Sequence, residues 1–240
     1  MMKIDILTLF PKMFAGPFDE SILRRAQDKS LVEIKIYDLR KWGQDARKTV
    51  DDRPYGGGVG MIIRVDVVAR AISNFQFPIS NKNKRKIVLL DAGGEPFVQK
   101  KAVELSKLEH LILIAGHYEG VDHRVHEHLV DEVISIGDYV LTGGEIPAMV
   151  ITDAVTRLIP GVLEKPGATT IESFSDNAPA LSEVEGPHSY LEFPQYTRPE
   201  TYKGWKVPEV LLKGNHKEIE KWRLKKSTER TKARRPDLLK

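Results

Sequence analysis

The chain has 240 residues, of which 41% are hydrophobic and 30% charged, and its formal net charge is +3. This balance is that of a globular protein with one large domain or two smaller ones. The sequence has no run of about 20 uncharged apolar residues, which argues against a membrane span. It has no cysteine, which excludes disulfides, thiolate nucleophiles and zinc–thiolate sites. Asp5 and Pro11 interrupt the N-terminal segment too early for a signal peptide, so we expect a cytoplasmic protein.

Short runs of aliphatic and β-branched residues alternate with segments of helical periodicity through the first two thirds of the chain. The predicted strands are residues 3–9, 32–39, 86–92, 110–116 and 131–137. The predicted helices are residues 18–27, 65–75, 97–108, 122–130 and 147–159. Near-continuous apolar strands separated by helices are typical of a parallel sheet covered on both faces. An α/β domain is therefore expected over residues 1–160.

The sequence changes character after Pro160, because six prolines interrupt residues 161–208 and few periodic runs occur there. A segment of this length without regular structure is usually functional or a linker. Residues 161–174 are expected to form a flexible linker between domains. Residues 175–240 are expected to form a small C-terminal helical domain, with its main helix over 209–235.

Positive charge is concentrated at the C-terminus, where residues 213–240 contain eleven Lys or Arg and four acidic residues. The preceding residues carry a net charge of −4. A basic module on a nearly neutral body indicates a polyanionic partner, for which nucleic acid is the favoured interpretation. A solvated helix with ion pairs four residues apart is the alternative, and it fits Lys217 to Lys221 better than the "KARR" sequence that follows.

Three glycine-bearing segments, 91–96, 115–120 and 137–145, follow predicted strands, where open α/β sheets bind their ligands. None contains Lys or Arg and none has a Walker or dinucleotide-binding spacing, which argues against a polyphosphate ligand. Such segments suit a small, largely neutral ligand such as an adenosyl group, held by backbone N–H and C=O groups. Glu145 and Pro147 also suit the first turn of the next helix. A fourth glycine cluster, within 51–61, is interpreted as a lid over substrate or cofactor.

The motifs "TVDDRPYGGGVGM", "AGHYEGVDHRV", "IGDYVLTGGEIPAM", "RLIPGV", "QYTRPE" and "GNHKEIEKWRLKKS" occur in this order along the chain. In their sequence and spacing they resemble the bacterial tRNA (guanine-N1)-methyltransferases. The resemblance covers nearly the whole chain, and "YGGGVGM" with "SIGDYVLTGGE" is highly specific.

The resemblance implies a parallel α/β sheet with a deep trefoil knot toward its C-terminal end, of the SPOUT class, and an obligate homodimer. It implies methyl transfer from S-adenosylmethionine to N1 of the guanosine immediately 3′ of the anticodon in tRNA. The residues that the resemblance places around the cofactor are Leu90, Asp91, Ala92, Gly116, Glu119, Ile136, Gly137, Asp138, Tyr139, Val140, Leu141, Gly143, Gly144 and Pro147.

The resemblance also implies two catalytic residues. Arg157, in "RLIPG", would stabilise negative charge that develops on the guanine, and a carboxylate before "SF" would remove the N1 proton. The family has aspartate there, whereas "TTIESF" places Glu172 at that position. Glu172 is the preferred base, and Asp176 is the alternative. Because of this change, a tRNA- or rRNA-binding protein that has lost catalysis is the alternative function.

Four further features either depart from the family pattern or bear on whether the protein has a metal site. His117 stands where the family usually has the arginine of "GRYEG", at a position on the substrate side. The spacing of His123, His126 and His128 favours surface or dimer-contact histidines over a metal site. Residues 175–190 are longer than in the family and are expected to be a disordered insertion. Glu192 lies near a family carboxylate that faces the methionine end of the cofactor or Mg2+.

Overall fold

The computed structural model describes residues 1–75, 84–165, 167–175 and 190–239. By its contacts the chain divides into two compact units, residues 1–164 and 165–240. No helix in the described ranges is both long and apolar enough to cross a membrane.

The first unit is built on a sheet of five parallel strands: β1 (Met2–Thr8), β2 (Val32–Asp38), β5 (Arg85–Pro96), β6 (His110–Ala115) and β7 (Glu132–Ser135). The strand order is β2-β1-β6-β5-β7. Two further strands, β3 (Asp51–Asp52) and β4 (Ile62–Ile63), form a short antiparallel hairpin. This α/β architecture with a parallel sheet is the one that the sequence predicts.

In the described part of this unit, the α-helices that accompany the sheet are α1 (Ser21–Asp28), α2 (Val65–Ser73), α3 (Gln99–Leu105), α4 (His123–His128) and α5 (Glu145–Thr156). Successive residues of a strand point to opposite faces of the sheet, so alternate residues are buried in two different cores. Leu111 and Leu113 join a core that includes Ile151 of α5. Ile112 and Ile114 join a second core that includes Val67 of α2. The central strand β6 is almost wholly buried because both faces of the sheet are covered there, whereas the edge strand β2 alternates polar with apolar residues and is mostly half-buried.

One predicted boundary is wrong in a way that bears on the site. The strand predicted over residues 86–92 is too short, because β5 continues through Pro96 and includes the glycine-bearing segment that was expected to follow it. Its pairing with β7 shifts between Leu90 and Glu95, so that both residues lie opposite Ile134. Gly94 makes this possible, because a Cβ there would lie 2.6 Å from the Ile134 backbone.

In the second unit, a short antiparallel hairpin joins β8 (Thr201–Tyr202) to β9 (Trp205–Lys206), and α6 spans His216–Arg234. The sequence did not predict this hairpin. The predicted helix over 209–235 is also too long at its start. A 3-10 turn occupies Glu209–Leu211, and α6 begins only after Asn215, whose side chain accepts a hydrogen bond from the Glu218 N–H. An Asn in this role is a typical N-terminal helix cap.

Candidate active site

The carboxyl ends of β6 and β7, together with Leu90 to Ala92 of β5, surround a cavity of about 270 Å³. This edge of a parallel sheet is where ligands bind in open α/β folds. The cavity is lined by Leu90, Asp91, Ala92, Gly116, His117, Tyr118, Glu119, Gly120, Ile134, Ser135, Ile136, Gly137, Tyr139, Val140, Leu141, Thr142, Gly143, Gly144 and Pro147.

Two glycines let the segment before α5 pass directly against the segment after β6. The Gly144 N–H donates a hydrogen bond of 2.7 Å to the Gly116 carbonyl, and His117 and Gly143 form an antiparallel bridge. A Cβ on Gly144 would lie 2.8 Å from both the Ala115 Cα and the Gly116 N. Backbone atoms cannot give way as a flexible side chain can, so this wall of the cavity requires glycine.

A buried carboxylate fixes the same junction. Glu145, the first residue of α5, is only 1% exposed. Its Oε1 accepts a hydrogen bond of 2.8 Å from the Thr8 hydroxyl at the end of β1, and its Oε2 lies 3.3 Å from His117 Nδ1. A buried carboxylate is tolerated only when such partners replace water, and the start of a helix favours a negative charge. Glu145 therefore links β1, His117 and α5 beside the cavity.

The segment after β7 covers another side of the cavity. Gly137 has a φ of +153°, and a Cβ there would lie 2.4 Å from Cε1 of Tyr139. The tyrosine ring thus lies against the glycine backbone, and its hydroxyl donates a 3.1 Å hydrogen bond to the Ile136 carbonyl. Val140 follows with 88% of its surface exposed.

The glycine cluster of residues 56–60 lies in the loop between β3 and β4. Backbone hydrogen bonds join the end of this loop and β4 to the cavity wall. The Glu119 N–H donates to the Met61 carbonyl at 3.1 Å, and the Ile63 N–H donates to the Gly120 carbonyl at 3.0 Å. Positive φ angles occur at all four glycines of the cluster. At Gly60 a Cβ would collide with Glu119, which lines the cavity.

The residues that line the cavity match the prediction of a ligand site without basic side chains. Among the described residues, no Lys or Arg lines it, while Asp91 and Glu119 do. Thirteen of the fourteen residues predicted around the cofactor lie in its wall, and Asp138 does not. His117, which the sequence marked only as a departure from the family, is also part of the wall. Its signal was the position in "AGHYEG", directly after Gly116.

The two predicted catalytic residues lie in different units. Arg157 follows α5, is half-buried and donates its backbone N–H to the Asp153 carbonyl at 3.1 Å. It is not among the residues of the cavity wall. Glu172 is half-buried in the second unit, and its carbonyl accepts from the Ser175 N–H at 3.2 Å. Asp176, the alternative base, lies outside the described residues, as does most of the predicted insertion at 175–190.

The histidines of α4 lie on the outer side of the helix, whose Val125 is buried in the core. The rings of His123 and His126 stack with centroids 5.1 Å apart. Asp122 caps the helix by accepting a 3.0 Å hydrogen bond from the Arg124 N–H. The Arg124 side chain donates two more, which hold the pKa of Asp122 below its usual value. Among the described residues, no group of three or more His, Asp or Glu side chains is placed to hold a metal ion.

Comparison with known proteins gives the same family as the motifs. A family model described as tRNA (Guanine-1)-methyltransferase TrmD matches residues 2–240. A protein from Dictyoglomus turgidum named tRNA (guanine-N(1)-)-methyltransferase is 52% identical over 239 residues, covering 100% of this chain and 90% of that protein. Proteins of the same name from Pelotomaculum thermopropionicum and Bacillus pumilus are each 50% identical, covering 100% and 99% of this chain and 90% and 92% of their own. The chain belongs to the tRNA (guanine-1)-methyltransferase family.

The second unit of this family member presents a groove along α6, with a volume of about 620 Å³. Lys226, Arg230 and Arg234 line it, together with Glu229, Pro194 and Gln195. Arg230 also donates to the Glu192 carbonyl at 3.0 Å, and the Glu192 side chain accepts a hydrogen bond from Gln195. Within the described ranges, Glu192 belongs to no group of three or more His, Asp or Glu side chains that could hold a metal ion.

Proposed function

We propose that the protein transfers a methyl group from S-adenosylmethionine to N1 of the guanosine immediately 3′ of the anticodon in tRNA. The observation that carries this proposal is the glycine-walled, cation-free cavity in a chain whose family match spans residues 2–240. The methyltransferase names of the relatives support an active enzyme over the catalytically impaired alternative. A cytoplasmic location follows from the proposed substrate, since bacterial tRNA is modified there.

The cavity suits S-adenosylmethionine by its chemistry. Leu90, Ile136 and Leu141 offer apolar contacts, and the neighbouring backbone N–H and C=O groups can pair with the edge of an adenine. Asp91 and Glu119 favour a ligand that carries hydroxyl groups and positive charge, which a phosphate ligand does not. When bound, the cofactor supplies an activated methyl group on a cationic sulfonium.

The chain's own residues would prepare the guanine. Guanine N1 carries a proton at neutral pH and is a poor nucleophile until a base removes it. We assign this step to the Glu172 carboxylate, which accepts the N1 proton. Arg157 would donate hydrogen bonds to O6, where negative charge accumulates as the proton leaves. The remaining task is to align N1 with the methyl group and exclude water.

The substrate must reach the cavity as an unstacked base, which costs less in an anticodon loop than in a duplex. We assign the grip on tRNA to the second unit, whose α6 carries the cations of the basic C-terminal segment. We further propose that residues 161–174, the first part of which ends the first compact unit and the rest of which begins the second, act as the linker that carries Glu172 between a domain of residues 1–160 and a domain of residues 175–240.

We infer two further family properties for this chain, the trefoil knot and the homodimer. The strand order, with β5 between β6 and β7, and the passage of Gly144 against Gly116 support the knot. Exposed apolar side chains support a dimer: Val140 is 88% exposed, and Ile146 and Val150 lie four residues apart on one face of α5.

The direct test is methyl transfer to an unmodified tRNA transcript, followed by mapping of the modified position. Wild type should modify the guanosine 3′ of the anticodon, and Glu172→Gln should lower the transfer rate by about 10²- to 10⁴-fold, the range for loss of a general base. Binding of S-adenosylmethionine should be kept in that variant. Asp176→Asn is the matched control and should retain activity.

Two results would contradict the proposal in different ways. No transfer by wild type, with intact binding of tRNA, would favour the binding-protein alternative. Normal transfer by Glu172→Gln, with loss in Asp176→Asn, would move the base to Asp176 and leave the reaction class unchanged.

A further inference from the structure

The hairpin of residues 201–206, in the described part of the second unit, is exposed along its whole length. Tyr202 pairs with Trp205 across its two strands, and the Val207 N–H donates to the Glu200 carbonyl to extend the ladder. Lys203 and Gly204 form the turn with φ angles of 50° and 85°. All six residues from Thr201 to Lys206 are exposed.

The hairpin presents aromatic rings that this chain does not bury. Trp205 is 73% exposed and Tyr202 is 54% exposed. The two rings lean against each other with centroids 5.9 Å apart, and the Lys203 ammonium lies 5.4 Å from the centroid of the Tyr202 ring. An isolated two-stranded hairpin is only marginally stable in water. A large exposed ring on such an element therefore gains little for folding and suits a role in binding.

We propose that this hairpin is a stacking platform for an unpaired nucleobase of the tRNA, with Trp205 as the principal face. The proposal rests on the proposed function, because it takes tRNA as the substrate, and it adds a second contact beyond the methylated base. Lys203 and Lys206 would lie near the phosphates that flank the stacked base.

The local charge favours RNA as the occupant. Residues 198–206 contain three basic residues, Arg198, Lys203 and Lys206, and one acidic residue, Glu200. A nucleotide combines a flat π-face with a phosphate a few ångströms away, and this matches an exposed indole beside lysines. Stable protein partners usually need about 800 Å² of contact on each side, which six hairpin residues do not provide alone.

The proposal is tested with the full chain and an unmodified tRNA transcript, by measuring the dissociation constant over a range of salt concentrations. From the usual energy of base–aromatic stacking, we expect Trp205→Ala to lose about 5- to 100-fold in affinity for tRNA. Trp205→Phe keeps a ring and should recover most of the affinity. The slope of log affinity against log salt should stay unchanged in both variants, because stacking releases no counterions.

Lys206→Ala provides the contrasting variant. If Lys206 contacts phosphate, the substitution should reduce the salt slope by about one and weaken binding uniformly across tRNA sequences. A hairpin RNA with an open loop should compete for the Trp205 face, whereas a blunt duplex of equal length should show no difference between wild type and Trp205→Ala.

The outcomes separate this inference from the proposed function. If wild type neither binds nor methylates tRNA, the proposed function fails. If wild type does both and Trp205→Ala binds tRNA with unchanged affinity, only the stacking platform is overturned. A change in sedimentation of Trp205→Ala, with tRNA binding lost in proportion, would overturn it in favour of a contact between subunits. Unchanged affinity for S-adenosylmethionine in the first unit serves as the folding control.

Discussion

At the scale of single residues, Gly144 offers a sharp test of the cavity wall. An added Cβ would lie 2.8 Å from backbone atoms of Ala115 and Gly116, so Gly144→Ala must displace one of the two segments. We expect at least a tenfold loss of affinity for S-adenosylmethionine, about 1.4 kcal/mol or more. Calorimetric titration with S-adenosylhomocysteine, the product form of the cofactor, measures the loss of affinity at this site.

Gly93→Ala is the matched control for that substitution. Its Cβ would approach only the Asp91 side chain, at 3.3 Å, and Gly93 is not part of the cavity wall. It should bind the cofactor product as wild type does. Equal affinities for Gly144→Ala and wild type would mean that the close passage at Gly116 does not shape the binding site.

How much of the site is visible in the sequence also differs from residue to residue. A neighbouring side chain lies close to Gly137 and to Gly143, and backbone lies close to Gly144. In the sequence, it is the presence of three cation-free glycine segments at one sheet edge that points to a ligand site. The role of Glu145 is different, because its partner Thr8 lies 137 positions away in the chain. A contact of this kind depends on which strand ends meet, and neither periodicity nor composition records that.

At the scale of elements, the start of α4 depends on Asp122. The Arg124 side chain and N–H lower the pKa of Asp122 below its ordinary value of 3.8. Because the pKa is lower in the folded state than in the unfolded chain, the stabilisation is complete above about pH 4 and is lost as pH falls through the folded-state value. Asp122→Asn should therefore be less stable than wild type at pH 6, and the difference should shrink on acidification.

Chemical denaturation at several pH values measures this effect. Asp122→Ala should lose about 1 kcal/mol of unfolding free energy at pH 6, the usual effect of removing a helix cap. Asp122→Asn keeps a capping oxygen and should lose less. A constant difference between Asp122→Asn and wild type from pH 6 to pH 3 would show that the charge of Asp122 does not contribute.

The elements also show where sequence prediction works and where it stops. All five strands of the main sheet were predicted within a few residues, apart from the end of β5. The central strands are largely buried and have mainly apolar runs, and the edge strand β2 alternates polar with aliphatic or aromatic residues. The end of β5 was missed because Gly93 and Gly94 usually mark a turn, whereas here Gly94 allows β7 to pass closely. The β8–β9 hairpin was missed because its exposed residues show no burial pattern.

At the scale of the whole molecule, the proposed dimer has a specific consequence. Ile146 and Val150 of α5 are 46% and 42% exposed, and Val140 is exposed as well. If they are buried between subunits, Val150→Glu would place a charge in an apolar interface and should shift the protein toward monomers. Analytical ultracentrifugation across micromolar concentrations measures the change.

Leu212→Glu is the control for the dimer, since Leu212 is 49% exposed in the second unit and receives the same added charge. It should sediment as wild type does. A monomeric wild type, or a Val150→Glu variant that remains dimeric, would place the apolar face of α5 outside any subunit contact.

The concentration of cations in the C-terminal segment leads to the last prediction, which concerns salt. Neutralising phosphates releases counterions, so tRNA affinity should fall steeply and linearly in log–log form as salt rises. Arg234 lies at the groove on α6, and Arg234→Ala should lower the magnitude of that slope by about one if it contacts a phosphate. Lys107→Ala removes an exposed cation that precedes β6, at the edge of the sheet opposite the cavity, and should leave the slope unchanged. Equal slopes for all three proteins would mean that tRNA does not follow α6, and the basic segment would then be a solvated helix stabilised by its own ion pairs.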